Sequence, residues 1–276
     1  MEVVEQFILG KKQDQNSCED GIFVNDNFIS IIDGATSHSG FEFNGKKTGK
    51  LICDIILEAL ACLAYNATIG EALLFINTYI INWYKENGLY ENFYSEPLLQ
   101  PSASVLIYSN YHRQLWLVGD STALYGSETL ENSVPIDEMY IKIRLLLIDY
   151  LLSTGETVES LLEKDIARNV VSHITKRQPL IKNKVFNSKY DYAVIDGFNT
   201  PPAHLIKYVN VPLDINEICL SSDGYFKIFN TLNETEKFLQ HMKDVDPLRY
   251  KEFPFTKGFY KNQNGYDDRS YIRFKI

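Results

Sequence analysis

Residues 20–34 read Asp20-Gly21-Ile22-Phe23-Val24-Asn25-Asp26-Asn27-Phe28-Ile29-Ser30-Ile31-Ile32-Asp33-Gly34. Gly21–Phe23 and Phe28–Ile32 are short β-like runs on either side of Asn25-Asp26-Asn27, a turn-forming triplet, so the stretch predicts a hairpin with an acid at each open end. Working outward, Leu51, Ile52, Ile55, Ile56, Ala59, Leu60 and Leu63 recur with the helical period. A second helix opens at Thr68-x-x-Glu71, the spacing of a capping box, carries Leu73 through Trp83 and stops near Gly88. Two further strands, Ala103–Tyr108 and Gln114–Val118, flank the polar turn Ser109-Asn110-Tyr111-His112.

Helical blocks are expected from about Ile136 to Leu152 and again after Thr157, the latter with Leu161, Leu162, Ile166, Val170 and Ile174 on one face. Strand-like runs return at Tyr192–Ile195, Leu205–Val209 and Ile218–Ser221, followed by a polar helix near Glu234–Met242 and a last strand, Ser270–Ile276. Hairpin-linked strands and consecutive helices predict an α+β fold of stacked layers rather than a doubly wound parallel sheet. With no internal repeat or long linker, residues 1–276 read as one domain.

The chain carries 27 Lys+Arg against 36 Asp+Glu, a formal net charge of −9. That balance argues against a sequence-independent grip on nucleic acid and against docking on anionic lipid, since both need a basic face. The start, Met1-Glu2-Val3-Val4-Glu5-Gln6, lacks the pattern of a signal peptide, and no run approaches the length of a membrane span. Cys18, Cys53, Cys62 and Cys219 form no Cys-x-x-Cys pair. Cys53, Cys62 and Cys219 lie in apolar runs and read as buried thiols, so a cytoplasmic location is expected.

Several acids share one local setting: Glu19-Asp20-Gly21, Ile32-Asp33-Gly34, Gly119-Asp120-Ser121, Ser222-Asp223-Gly224 and Tyr266-Asp267-Asp268 each lie at the end of an apolar or strand-like run. Any one of them reads as a turn, and Asp196-Gly197, alike in its surroundings, is read as a plain turn. As a set they place carboxylates at strand ends. Strand ends that converge would bring like charges close enough to need cations, and oxygen-only ligands suit magnesium or manganese. Two such ions bridged by a carboxylate and a water generate a nucleophile near neutral pH.

The order Glu-Asp, Asp-Gly, Gly-Asp-Ser, Ser-Asp-Gly and Asp-Asp before a terminal strand resembles the metal-dependent protein phosphatases, the protein phosphatase 2C-like family, from Glu19 to the last strand. The resemblance implies a four-layer αββα sandwich of two antiparallel sheets flanked by helix pairs. It implies a phosphoserine and phosphothreonine hydrolase holding two Mn2+ or Mg2+ ions, with a third at Asp120. Asp33 bridges the ions; Asp223 and Asp267 complete one site; Glu19 and the Gly34 carbonyl complete the other. Asp20 belongs to the same metal-binding set, and Asp20 and Asp268 orient ligands or hold water. The partner implied is a phosphoprotein.

Three positions depart from the family pattern. Gln15 stands where many members have a phosphate-gripping arginine, leaving Lys11 or Lys12 as the grip. Ala35 stands where a histidine is common, leaving His38 as the general acid. Lys227 replaces an acid four residues after Asp223, which weakens a third ion site at Asp120. These departures motivate an alternative, a pseudophosphatase that binds phosphoproteins or metals without turnover. An N-terminal-nucleophile hydrolase needs a Thr, Ser or Cys at a processed N-terminus, which Met1-Glu2-Val3 does not offer. Tyr79, Trp83 and Tyr84 read as packing, and the basic stretch from Lys176 to Lys189 as a solvated loop able to recruit an acidic phosphoprotein.

Overall fold

The computed structural model describes residues 1–12, 14–36, 40–132, 134–186 and 190–276. In chain order the elements are β1 (Glu2–Leu9), β2 (Asp20–Val24), β3 (Phe28–Gly34), β4 (Glu42–Phe43), β5 (Lys46–Lys47), α1 (Thr48–Ala61), α2 (Ile69–Glu86), α3 (Tyr90–Ser95), β6 (Ala103–Ser109), β7 (Gln114–Val118), β8 (Thr122–Tyr125) and β9 (Glu128–Leu130). They continue with α4 (Pro135–Ser153), α5 (Val158–Glu163), α6 (Ile166–Thr175), β10 (Lys207–Asn210), β11 (Glu217–Ser221), α7 (Leu232–Val245) and β12 (Arg269–Lys275). Among the described residues the strands form two five-stranded antiparallel sheets, ordered β1-β12-β11-β8-β9 and β10-β7-β6-β3-β2, and a two-stranded ribbon, β4-β5.

Alternation along the strands decides what lies on each face. Ile29 and Ile31 of β3, Leu106 and Tyr108 of β6, and Leu115 and Leu117 of β7 point to the second sheet, where they meet Ile218, Leu220, Ile272 and Phe274. The intervening Phe28, Ile32, Val105, Ile107, Trp116 and Val118 point the other way, onto the apolar stripes of α1 and α2. Cys219 of β11 and Tyr271 of β12 face outward onto α7 through Leu239 and Met242. The layers are therefore helix, sheet, sheet, helix, an α+β fold as the sequence predicts. The capping box at Thr68 and Glu71 is formed, and the outer layer beyond the second sheet is α7 with the aromatic residues around it. Tyr84 is buried, and Tyr79 and Trp83 pack beside it. No described helix is long and apolar enough to cross a membrane.

Three expectations are corrected. The single helix after Thr157 is two, because Asp165 caps a new start at α6. Its inward residues are Ala167, Val171 and Thr175, while Val170 and Ile174 are exposed. The fully buried ion pair between Arg144 of α4 and Asp165, at 2.6 Å, fixes that rotation. Cys62 lies past the end of α1 and is exposed, whereas Cys18, Cys53 and Cys219 are buried. Residues 192–195 contribute one isolated bridge, Ala103 to Ile195, rather than a strand.

Candidate metal and phosphate site

Register brings the acids to one end of both sheets. Asp20 at the start of β2 pairs with Asp33 near the end of β3, and Asp33 pairs with Ser104 of β6. Asp120 follows β7, and its N–H donates to the Ser104 hydroxyl at 3.0 Å. On the other sheet Ser221, the last residue of β11, pairs with Tyr271 of β12, so Asp223 leaves the sheet where Asp267 and Asp268 enter it. Short bonds tie the two sheets at this end. The Ser222 hydroxyl donates to Asp20 Oδ2 at 2.6 Å, and Asp268 accepts the Lys11 N–H at 2.7 Å and the Glu19 N–H at 3.0 Å. A Cβ on Gly34 would stand 2.2 Å from the Gly49 carbonyl, so only glycine lets the start of α1 pack this close to β3.

A cavity of about 230 Å³ opens at these strand ends, lined on one side by Asp33, Gly34, Asp120, Asp223, Asp267 and Asp268. It is also lined by residues of α4 and α6 and of the segment 255–257: Asp137, Tyr140, Arg168, Phe255 and Lys257. Glu19 and Asp20 are buried behind the acidic wall. A second cavity, of about 410 Å³, shares Thr36, Arg168 and Lys257 with the first and is also lined by Lys11.

Charge is unevenly compensated across the cluster. Asp267 Oδ1 lies 2.8 Å from Lys11 Nζ, and Oδ2 is paired with Lys257. Burial alone would raise the Asp267 carboxyl, but Lys257 and Lys11 outweigh it and hold the group well below the usual carboxylate range. Among the described residues Asp33 has no such partner. Burial, then Asp20, Asp223, Asp120 and Asp267 push it well above that range. Asp223 is pushed up to about 7, by burial first and then by Asp267 and Asp120. Asp120 and Asp137 are each pushed up to about 6, by burial first and then by charge, Asp120 by Asp137 and Asp137 by Asp223.

The donor set fits a hard divalent cation. All its candidate ligating atoms are oxygens, and Glu19 Oε1 and Asp20 Oδ1 are buried without a hydrogen-bond partner. Among the described residues, no three His, Cys, Asp or Glu side chains are already disposed to hold a metal ion. In this arrangement Asp267 is paired with Lys11 and Lys257.

The residues that mark departures are accounted for locally. Gln15 accepts the Gly10 N–H at 2.9 Å and so closes its own loop. Lys12 is exposed and lines neither cavity. Ala35 lines the first cavity, and His38 lies outside the described residues. Lys227 is exposed, with its ammonium 5.1 Å from the centre of the Phe229 ring. Asp196 accepts the Phe198 and Asn199 N–H groups at 2.8 and 2.9 Å, as a turn aspartate does.

Sequence reasoning missed Asp137, Arg168 and Lys257. Asp137 reads as an ordinary acid in a first helical turn, which the helix dipole favours. Lys257 lies in an irregular stretch with no periodic signal.

The chain matches no protein-family model and no curated protein. Solved structures are similar to it along its length. It is 15% identical to the serine/threonine phosphatase Stp1 from Staphylococcus aureus, covering 100% of this chain and 97% of that one, with a TM-score of 0.47. It is 13% identical to the catalytic domain of the serine/threonine protein phosphatase PstP in complex with two manganese ions, covering 100% of both chains, with a TM-score of 0.46. It is 12% identical to RsbX in complex with magnesium, covering 99% of this chain and 98% of that one, with a TM-score of 0.46.

Proposed function

We propose that this chain is a divergent metal-dependent protein phosphatase that hydrolyses phosphoserine and phosphothreonine monoesters in proteins. The observation that carries the reading is the convergence of Asp33 and Asp223 at one cavity, where among the described residues neither has a lysine or arginine within ion-pair distance. Burial and the neighbouring carboxylates push both carboxyls up, the setting in which a cation is favoured. Asp33 and Asp223 would hold a divalent ion together, and Glu19, Asp267 and the Gly34 carbonyl would be the further oxygen donors of the cluster. An oxygen-only donor set would suit manganese or magnesium. A divalent ion in this setting supplies charge neutralisation for an incoming phosphate and lowers the pKa of a bound water.

The chain's own residues do the rest. Asp268 fixes the loop carrying Lys11 and Glu19 by accepting both backbone N–H groups. Lys257 and Arg168 also line the cavity and would offer positive charge to a substrate phosphate. Tyr140 and Phe255 give that wall an apolar surface that limits water around the phosphate.

The test is release of phosphate from p-nitrophenyl phosphate and from phosphoserine peptides by purified protein with manganese. Asp33→Asn is expected to lower turnover at least about 100-fold, the scale of losing one electrostatic group at a reacting centre. Absence of turnover in the unaltered chain, with manganese bound, would sink the enzymatic reading. It would leave the non-catalytic one, which Gln15 favours because its side chain is spent on Gly10.

A further inference from the structure

Lys11 is held with unusual firmness for a loop lysine. Its N–H donates to Asp268 Oδ1 at 2.7 Å, and its carbonyl accepts from the Asn264 N–H at 2.9 Å. The Asn264 side-chain amide bridges the carbonyls on either side, Gly10 and Lys12, at 3.0 Å each. The backbone of residues 10–12 is thus pinned to the segment that enters β12.

From that anchor the side chain turns into the acids. Nζ donates to Asp267 Oδ1 at 2.8 Å and to Thr36 Oγ1 at 2.9 Å, and stands 3.6 Å from both Glu19 Oε2 and Asp268 Oδ2. One ammonium therefore faces three carboxylates and a hydroxyl. It touches one donor from each of the two ion positions that the family resemblance implies, Asp267 for one and Glu19 for the other. Among the described residues Asp33, Asp120 and Asp223 have no lysine or arginine within ion-pair distance. Among the described residues, the lysines in ion pairs with the cluster, Lys11 and Lys257, both reach Asp267.

We propose that Lys11 is a built-in cation of this site: its ammonium already neutralises Glu19 and Asp267, one donor of each implied ion position, so the cluster takes up a single divalent ion, on the Asp33–Asp223 side. This rests on reading the cluster as a cation site. An ammonium is a fixed single charge with three donors and no open coordination position, so it neutralises Glu19 and Asp267 without polarising a water.

The test counts ions rather than turnover. Full-length protein is titrated with manganese alone and examined by native mass spectrometry and calorimetry, with electron paramagnetic resonance to separate lone from paired ions. Wild type is expected to bind one ion with a lone-ion spectrum. Lys11→Met, which keeps the apolar stem but not the charge, is expected to bind two, with the broadened spectrum of a coupled pair. Lys11→Gln retains a donor toward Asp267 and is expected to do the same, which covers the case where the methionine variant folds poorly. Two ions in the wild type overturn the role of Lys11 and leave the phosphatase reading standing, as does one ion in both wild type and variants. No ion in any of the three overturns the cation-site reading, and this inference with it.

Discussion

Removing the charge of Asp137 is expected to stabilise the metal-free protein at alkaline pH and to do nothing at acid pH. Asp137 stands in the first turn of α4 and lines the acidic cavity. Its carboxyl is pushed up to about 6, by burial first and then by Asp223, with Lys257, Gln178 and Arg168 opposing. In the unfolded chain it titrates near ~3.9. A group raised on folding contributes no penalty below its unfolded value; the penalty grows as pH rises and is complete above the folded value. The window is therefore about pH 4 to 6, and folding is disfavoured above it by about 3 kcal/mol at most.

Asp137 is half-buried, and screening by solvent reduces that to about 1–3 kcal/mol. Asparagine retains an oxygen for the weak 3.5 Å contact from Gln178 and gives up only a few tenths of a kcal/mol of helix-dipole stabilisation. Urea unfolding of wild type and Asp137→Asn, with chelator present, reads the difference at pH 4 and pH 8. A gain of about 1–3 kcal/mol at pH 8 that vanishes at pH 4 is expected. An equal effect at both pH values, or a loss at pH 8, would refute the account of the cluster as mutually repelling carboxylates.

Two other perturbations probe the frame of the site. A Cβ at Gly224 would stand 1.9 Å from the Asp268 carbonyl oxygen and 2.6 Å from the Arg269 Cβ, contacts that no rotamer relieves. Gly224→Ala is expected to cost about 3 kcal/mol or more, read as a lowered urea midpoint, and an unchanged midpoint would contradict the packing described. The Tyr84 hydroxyl is buried in the α2 core without a hydrogen-bond partner. Tyr84→Phe is expected to leave stability unchanged or raise it by about 1 kcal/mol; a loss of that size in thermal melts would show the hydroxyl to be bonded.

The hairpin at residues 20–34 was legible because its apolar runs alternate and its turn residues are local, and the same holds for β6, β7 and the capping box at Thr68. β1 was not legible. It is an edge strand with Glu2, Val3 and Val4 exposed, so no face is uniformly apolar, and only its pairing with β12 makes it a strand. The rotation of α6 was misread because Val170 and Ile174 fit an apolar stripe as well as Ala167 and Val171 do. What decides between the two stripes is the buried Arg144–Asp165 pair, whose partners lie in different helical segments of the sequence. At the site the acids were legible as strand ends. Of the cations Lys11 was named as a phosphate grip, while Arg168 and Lys257 were not legible, because they reach the cluster on long side chains from a helix and an irregular segment.

That asymmetry explains where the chain's acidity resides. Among the described residues lining the two cavities or buried behind them, Glu19, Asp20, Asp33, Asp120, Asp137, Asp223, Asp267 and Asp268 stand beside Lys11, Arg168 and Lys257, an imbalance of five charges if all ionise, against a net −9 for the whole chain. Asp20 and Asp33 lie in β2 and β3, and Asp223 and Asp268 adjoin the ends of β11 and β12, while the bonds from Ser222 to Asp20 and from Glu19 to Asp268 tie one sheet to the other. That frame limits relief of the repulsion by movement, and on the Asp267 side two lysines supply charge instead. Among the described residues Asp33, Asp120 and Asp223 have no lysine or arginine within ion-pair distance, and burial with neighbouring acids pushes all three up. A divalent cation would gain most where buried carboxylates are held against such repulsion, which on the proposed reading is the Asp33–Asp223 side of the cluster.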